Sequence, residues 1–406
     1  GLSVVVGAAL AFGRDLVAIR IFNDPVISDL LILGAVLLVP VTLVKVLGGL
    51  YQAFKLAGLQ RLIGDVGYRT VFCAGMIALA ALHIETTDWA IGAYLGAYVL
   101  AMSLLVLFAR RFDPNIFAGL RAFFSPSPEQ REDRAELLGF SSTMILISVM
   151  SFLLAKTDIL MVGYFRESSE VGVYKIAVLV ANLVMFILAS VNAIFPSIIS
   201  ELFAEERIQE LENMYATITK WSLVGALPVV ACMGFYATPL VEFFGPEYSA
   251  AATSLIVLAA GNFVNVAVGS NGHILKMSGH ERLVLANNAV LAVINIGLNI
   301  VLIPEFGILG AALATSGAIV MISLIKIVEL KWLLGIFPYR LSMLLLVLSA
   351  GAMAGLGFLT MSWVDSVWKV VLMGVGFGLL SLAGAYATLD ERDRTLLGQV
   401  KNKFSG

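Results

Sequence analysis

Lys156 and Asp158 stand two residues apart in the apolar run LLAKTDILMVGYF, residues 153–165. On a helix, positions two apart diverge by about 200°, so these two do not pair with each other. Neither has an opposite charge three or four residues away. An ammonium in such surroundings attracts an anion. A lone carboxylate takes a cation or proton, or a basic side chain from another helix. Six further cations, Arg14, Arg20, Lys45, Arg69, Lys175 and Lys326, fall within or at the edges of apolar stretches. Each costs at least about 2.5–3.5 kcal/mol at a bilayer centre, so each needs a reason. Arg69 has Asp65 one turn before it, and Lys326 has Glu329 one turn after. Arg20, Lys156 and Lys175 lie towards the outer helix ends, within reach of headgroups by snorkelling. Arg14 and Lys45 have neither escape and are expected to face a water-filled cavity.

Among the acids, Asp15 and Asp158 are embedded without a partner at helical spacing. Each is a candidate for an interhelical ion pair or for a coupling ion. Asn182, Asn192, Asn262, Asn265, Asn295 and Asn299 add polar positions for interhelical hydrogen bonds or for contact with sugar. The excess of embedded positive charge favours an anionic ligand, and phosphate or pyrophosphate suits Arg and Lys. The three histidines, His83, His273 and His280, make no metal or triad spacing. Cys73 and Cys232 sit in apolar stretches and form no disulfide framework. No glycine-rich phosphate loop marks an ATP-driven pump. Neither metal nor cofactor is implied, and a net charge of −2 gives no sign of nucleic acid.

The elements that hold these residues must cross a membrane. The chain is 60% hydrophobic and 13% charged, about half the charge of a soluble protein. Apolar stretches of membrane-spanning length recur throughout, which predicts an all-α polytopic membrane protein. Twelve helices are expected: 2–22, 28–57, 62–83, 88–110, 137–163, 172–199, 214–244, 250–277, 283–303, 309–333, 341–362 and 367–388. Seventeen Lys and Arg fall in one set of alternate connections and the tail, and two in the other set. The first set is therefore expected in the cytoplasm, with the C-terminus inside and the protein in the cell membrane. The outer connections are short, which argues against an enzyme such as a polysaccharide polymerase or glycan ligase.

The longest connection, 111–136, ends in PSPEQREDRAELL. There Ser127 is expected as N-cap, Pro128 as the first helical residue and Gln130 as the capping partner. It reads as a cytoplasmic linker between an N-lobe, 1–110, and a C-lobe, 137–333. A C-terminal helix pair, 334–388, and a cytoplasmic tail, 389–406, follow. The lobes repeat: Gly48, Lys55, Gly58 and Arg61 match Gly269, Lys276, Gly279 and Arg282 at one constant spacing. Both copies lie in expected cytoplasmic loops, so the repeats are parallel. The second repeat has two helices before the one matching 2–22. Two further N-terminal helices are therefore expected ahead of Gly1, and the N-lobe of this chain is expected to be incomplete.

The segments KTDILMVGYF and SSEVGVYKIA (156–177), FGPEYSAAATSLIVLA (244–259), KMSGHERL (276–283) and PEFGILGAALAT (304–315) together resemble the polysaccharide-biosynthesis flippases. These belong to the multidrug/oligosaccharidyl-lipid/polysaccharide exporter superfamily. The resemblance implies two helical lobes around a central cavity, alternating access and no covalent chemistry. It implies a polyprenyl or dolichyl (pyro)phosphate-linked oligosaccharide, moved from the cytoplasmic to the outer leaflet among membrane lipids. Arg14, Lys45, Lys156, Lys175 and Arg69 would meet the phosphate. Asp158 and Asp15 would form ion pairs or hold a coupling cation, Na+ or H+. A cation-coupled multidrug exporter and a peptidoglycan-precursor flippase are the alternatives within transporters. The drug exporter should show acidic cavity residues, whereas unpaired cations outnumber unpaired acids here.

Overall fold

The computed structural model describes residues 2–21, 26–53, 63, 66–82, 87–112, 156–192, 195–340 and 343–388. The chain divides into two compact units, residues 1–150 and 151–406. Among the described residues there is no strand. Eight segments among them are long and apolar enough to cross a membrane, and Tyr68–Ala81 and Leu345–Thr360 are shorter apolar helices. The expected linker with its Ser127 cap, the Lys55 to Arg61 copy of the repeat and the C-terminal tail lie outside the described residues.

In the first unit, α1 (Leu2–Asp15) runs into a π-helical stretch, Leu16–Ile21. It packs on α2 (Val26–Ala53). A Cβ on Gly7 would stand 3.0 Å from the Ala35 carbonyl oxygen, so only a small residue allows this approach. α3 (Tyr68–Ala81) and α4 (Thr87–Phe112) complete the described part. Val44 and Leu47 of α2 meet Tyr98, Ala101 and Leu105 of α4 in its core.

The second unit opens with α5 (156–165) and α6 (Ser168–Ala181). The single helix expected over 172–199 is three: α6, α7 (Leu183–Asn192) and α8 (Phe195–Ala204). α9 (Ile208–Phe235) is followed by the short α10 (Ala237–Glu242) and a 3-10 turn, Pro246–Ala250. The helix expected over 250–277 is α11 (Ala251–Ala267) and α12 (Asn271–Met277). The break falls at Gly269, whose φ of 67° a side chain would strain. The Thr219 and Tyr215 side chains press on that point. α13 (Glu281–Phe306) and α14 (Ile308–Leu334) form a helical hairpin. α15 (Leu344–Thr360) and α16 (Val367–Ala387) are the C-terminal pair.

Small residues let these helices close up. A Cβ at Gly310 would collide with the Leu302 carbonyl, so α13 and α14 touch backbone to backbone. Ser316 on α14 donates to the Val257 carbonyl of α11 at 2.9 Å. Val162, Tyr174, Leu255, Ile303 and Ala311 meet in the main core of the unit. Cys232, Tyr236, Met353 and Phe377 join α9 to the C-terminal pair.

One of the seventeen basic residues counted with the expected cytoplasmic connections is Lys220, which lies inside α9. The side chain is 3% exposed, and its Nζ donates to the Thr388 carbonyl at 2.5 Å. That carbonyl closes the C-terminus of α16, where unpaired carbonyls favour a cation.

Candidate functional site

The loop between α5 and α6 is short, and the Glu170 carboxylate accepts from Arg166 Nε at 3.0 Å across it. This brings Asp158 opposite Tyr174. Asp158 is 8% exposed, whereas Lys156, two residues away, is exposed. The Tyr174 hydroxyl, fully buried, donates to Asp158 Oδ2 at 3.0 Å. The Ile159 backbone N–H donates to Oδ1 at 2.9 Å.

A polar network continues through two more helices. Asn299 Nδ2 donates to Asn295 Oδ1 at 3.0 Å, and Asn295 Nδ2 donates to Thr315 Oγ1 at 3.1 Å. Asn299, Asn295 and Thr315 thus form a relay on α13 and α14 that ends beside Tyr174 of α6, the donor to the carboxylate on α5. An ionised carboxylate is only an acceptor, so the bonds from Tyr174 and Ile159 offset part of the cost of burying it. A hydrogen bond to a charged group contributes about 1.5–3 kcal/mol. No ion pair to Asp158 forms among the described residues. Its partner on another helix is a neutral phenol, where a basic side chain was one expectation.

Beside the carboxylate lies a pocket of about 250 Å³, lined by Asp158, Asn182, Asn262, Asn295 and Thr315 with Val178, Ala181, Leu258 and Ile319. Asn262 commits its Nδ2 to the Ala181 carbonyl at 3.0 Å. The polar wall is therefore oxygen-rich with a single carboxylate. Hard cations prefer oxygen ligands. One carboxylate with neutral oxygens matches a single positive charge, carried by a small monovalent cation or a proton. No cluster of three or more His, Cys, Asp or Glu among the described residues could hold a metal ion.

The other expected site residues are distributed over both units. Arg14, half-buried at the end of α1, has its Nε 3.6 Å from Asp15 Oδ1, and Asp15 accepts from Ser28 Oγ at 2.7 Å. Asp15 and Arg14 were expected without partners; they take each other, because the long arginine stem bends across one helical step. Lys45 is exposed on α2, and its charge reaches Tyr68 on α3. Arg69 is exposed as well; its Nε donates to the Tyr68 hydroxyl at 3.1 Å, and its guanidinium lies 5.6 Å from that ring's centre. Asp65, its expected partner, lies outside the described residues. Tyr68 stacks on Tyr98 with centroids 4.4 Å apart, and Tyr94 packs edge-on against both. The first unit thus gathers Lys45 and Arg69 around one tyrosine cluster. Lys175 is exposed on α6.

Tyr174 and Thr315 were not singled out in the sequence. Both lie in segments that carry the family resemblance, SSEVGVYKIA and PEFGILGAALAT, which is the signal that could have pointed to them.

These apolar helices, enclosing one buried acid among the described residues, are those of a multi-pass membrane protein. The family described as "Polysaccharide biosynthesis protein" matches residues 1–253, and the chain belongs to it. A probable low-salt glycan biosynthesis flippase of Haloferax volcanii is 27% identical over 252 residues, 60% of this chain and 52% of that protein. The probable flippase AglR of the same organism is 25% identical over 256 residues, again 60% and 52%. The chain spans about half the length of the curated relatives it matches. Among solved structures, the lipid II flippase MurJ in an inward closed conformation has the same fold. Its TM-score is 0.71 at 14% identity, over 95% of this chain and 81% of that one.

Proposed function

We propose that the protein flips a polyprenyl or dolichyl (pyro)phosphate-linked oligosaccharide from the cytoplasmic to the outer leaflet by alternating access. The product would serve cell-surface polysaccharide or glycoprotein glycan synthesis. One relative named as a glycan-biosynthesis flippase and another named as a flippase support the substrate class. The observation that carries the mechanism is Asp158: a buried carboxylate with a donor relay, an adjoining oxygen-lined pocket and no ion pair among the described residues. We assign it to a coupling cation, Na+ or H+. An ion held between α5, α6, α11, α13 and α14 ties those helices together, and its release loosens them. That difference is what an ion needs to bias two conformations. Lys45, Arg69 and the tyrosines around them, with Arg14, Lys156 and Lys175, supply cations for the substrate phosphate. No bond of the substrate is made or broken.

The test is transport of a fluorescent lipid-linked oligosaccharide in proteoliposomes. The parent should flip it, Lys45→Ala and Lys156→Ala should lose most of that activity, and Asp158→Asn should lose its dependence on a Na+ or proton gradient. Flipping unchanged in all three variants would overturn these assignments. Efflux of a cationic dye without flipping would instead make the protein a drug exporter of the same fold.

A further inference from the structure

A second polar cluster sits at the other end of α14 from its hairpin with α13. Lys326 was expected to be neutralised by Glu329 one turn on. The Glu329 carboxylate instead accepts from Asn287 Nδ2 of α13 at 2.7 Å. Lys326 makes no ion pair among the described residues. Its ammonium lies against the backbone of α12, 3.8 Å from where a Cβ on Gly272 would stand. Asn271 holds α12 there by donating its Nδ2 to the Ser323 carbonyl of α14 at 3.4 Å. His273, half-buried, follows on α12, and Lys276, exposed, is one turn further. Burial and the charges of Lys276 and Lys326 hold the His273 imidazole below its ordinary pKa. Three basic groups therefore gather here; the Glu329 charge still reaches Lys326, but its carboxylate bonds Asn287 and forms no ion pair with Lys326 among the described residues.

We infer that His273, Lys276 and Lys326 form a phosphate-binding site at this end of the second unit, taking the phosphate of a lipid headgroup or of a free phosphate or pyrophosphate. Two ammonium groups and an imidazole provide charge and donors for phosphate oxygens. Lys276 belongs to the repeated Lys-x-x-Gly-x-x-Arg, which the ion site leaves without a role. The inference concerns binding alone and stands whether or not the chain flips lipid.

His273 supplies the readout. A bound phosphate beside it favours the imidazolium, so its titration midpoint should rise by about one pH unit. The full chain, with labelled histidine, is placed in phosphatidylcholine nanodiscs and titrated by NMR, with His273→Gln assigning the resonance among the three histidines. One arm adds inorganic pyrophosphate, and a second uses discs that carry a polyprenyl phosphate. A rise in either arm, absent at His280, supports the site, and the arm that responds identifies the source of the phosphate. The rise should vanish in Lys326→Met and return in Lys326→Arg. Should Lys326→Met not fold, Lys276→Gln, at an exposed side chain, should weaken binding about tenfold. No rise in either arm, an equal rise at His280, or a rise unchanged in the lysine variants overturns the inference.

Discussion

At the residue scale, the second unit turns on how Asp158 is kept. A carboxylate in an apolar helical layer is expensive, and its neutral partners lower that cost without cancelling its charge. On the proposed reading, a coupling cation binds and leaves at this carboxylate. Tyr174→Phe removes one donor and should lower stability by about 1–3 kcal/mol. It should also raise the Na+ concentration needed for half-maximal transport or, if the ion is a proton, move half-maximal transport to higher pH, because the lost donor favoured the ionised carboxylate. Thermal unfolding of the purified protein separates the two roles. The parent should unfold at a higher temperature in sodium chloride than in choline chloride if Na+ is the ion. Asp158→Asn should erase that difference. A difference of parental size in Asp158→Asn would exclude this carboxylate as the ion ligand.

At the scale of elements, the second unit depends on close helix contacts and on its helix ends. Apolar side chains alone cannot hold helices together in lipid, since the tails are equally apolar; small residues and hydrogen bonds must. The α13–α14 hairpin is the tightest case. Gly310→Ala must push the two backbones apart, at about 3 kcal/mol or more. Because Asn295 and Thr315 sit on these two helices, the relay should part with them. Strongly reduced folded yield, or lost ion-dependent stability in what folds, is the expected result. Lys220 works at a helix end. Lys220→Met leaves the Thr388 carbonyl without its ammonium, at about 1.5–3 kcal/mol. Hydrogen exchange should accelerate in the last turn of α16, around Tyr386, while α13 and α14 keep their protection.

At the scale of the whole molecule, alternating basic and neutral connections imply an orientation. Arg340 bonds the Asn213 side chain at 2.9 Å, and the Glu212 carboxylate accepts from the Phe337 backbone N–H at 3.1 Å. The start of α9 and the end of α14 thus share one end of the second unit. Asp365, in the connection between α15 and α16, pairs at 2.9 Å with Lys369 in the first turn of α16. On the positive-inside rule we propose that the first end faces the cytoplasm. A cysteine placed at exposed Glu206 should then react with an impermeant maleimide only after the membrane is opened. A cysteine at Ser362 should react in intact cells. The reverse pattern would invert the orientation and with it the direction of transport.

The amino-acid sequence by itself determined the membrane character, most of the helix positions in the second unit and the family. Those properties depend on apolar run length and on short local segments, which are written in consecutive residues. It also marked Asp158 as anomalous and separated it from Lys156, since a two-residue step turns most of the way to the opposite face of a helix. Tertiary structure decided the partners. Tyr174 and Thr315 lie 16 and 157 residues after Asp158, and only helix packing brings a phenol and a hydroxyl to it. Packing likewise gave Glu329 to Asn287 rather than to Lys326, and buried Lys220 against the end of α16. The breaks at Gly269 and after Ala181 were equally hidden, because an apolar run reads alike whether its helix is continuous or divided. Hydrophobicity says that a segment is buried in lipid or protein; which polar atoms meet inside depends on the rotation of each helix, and that is set by its neighbours.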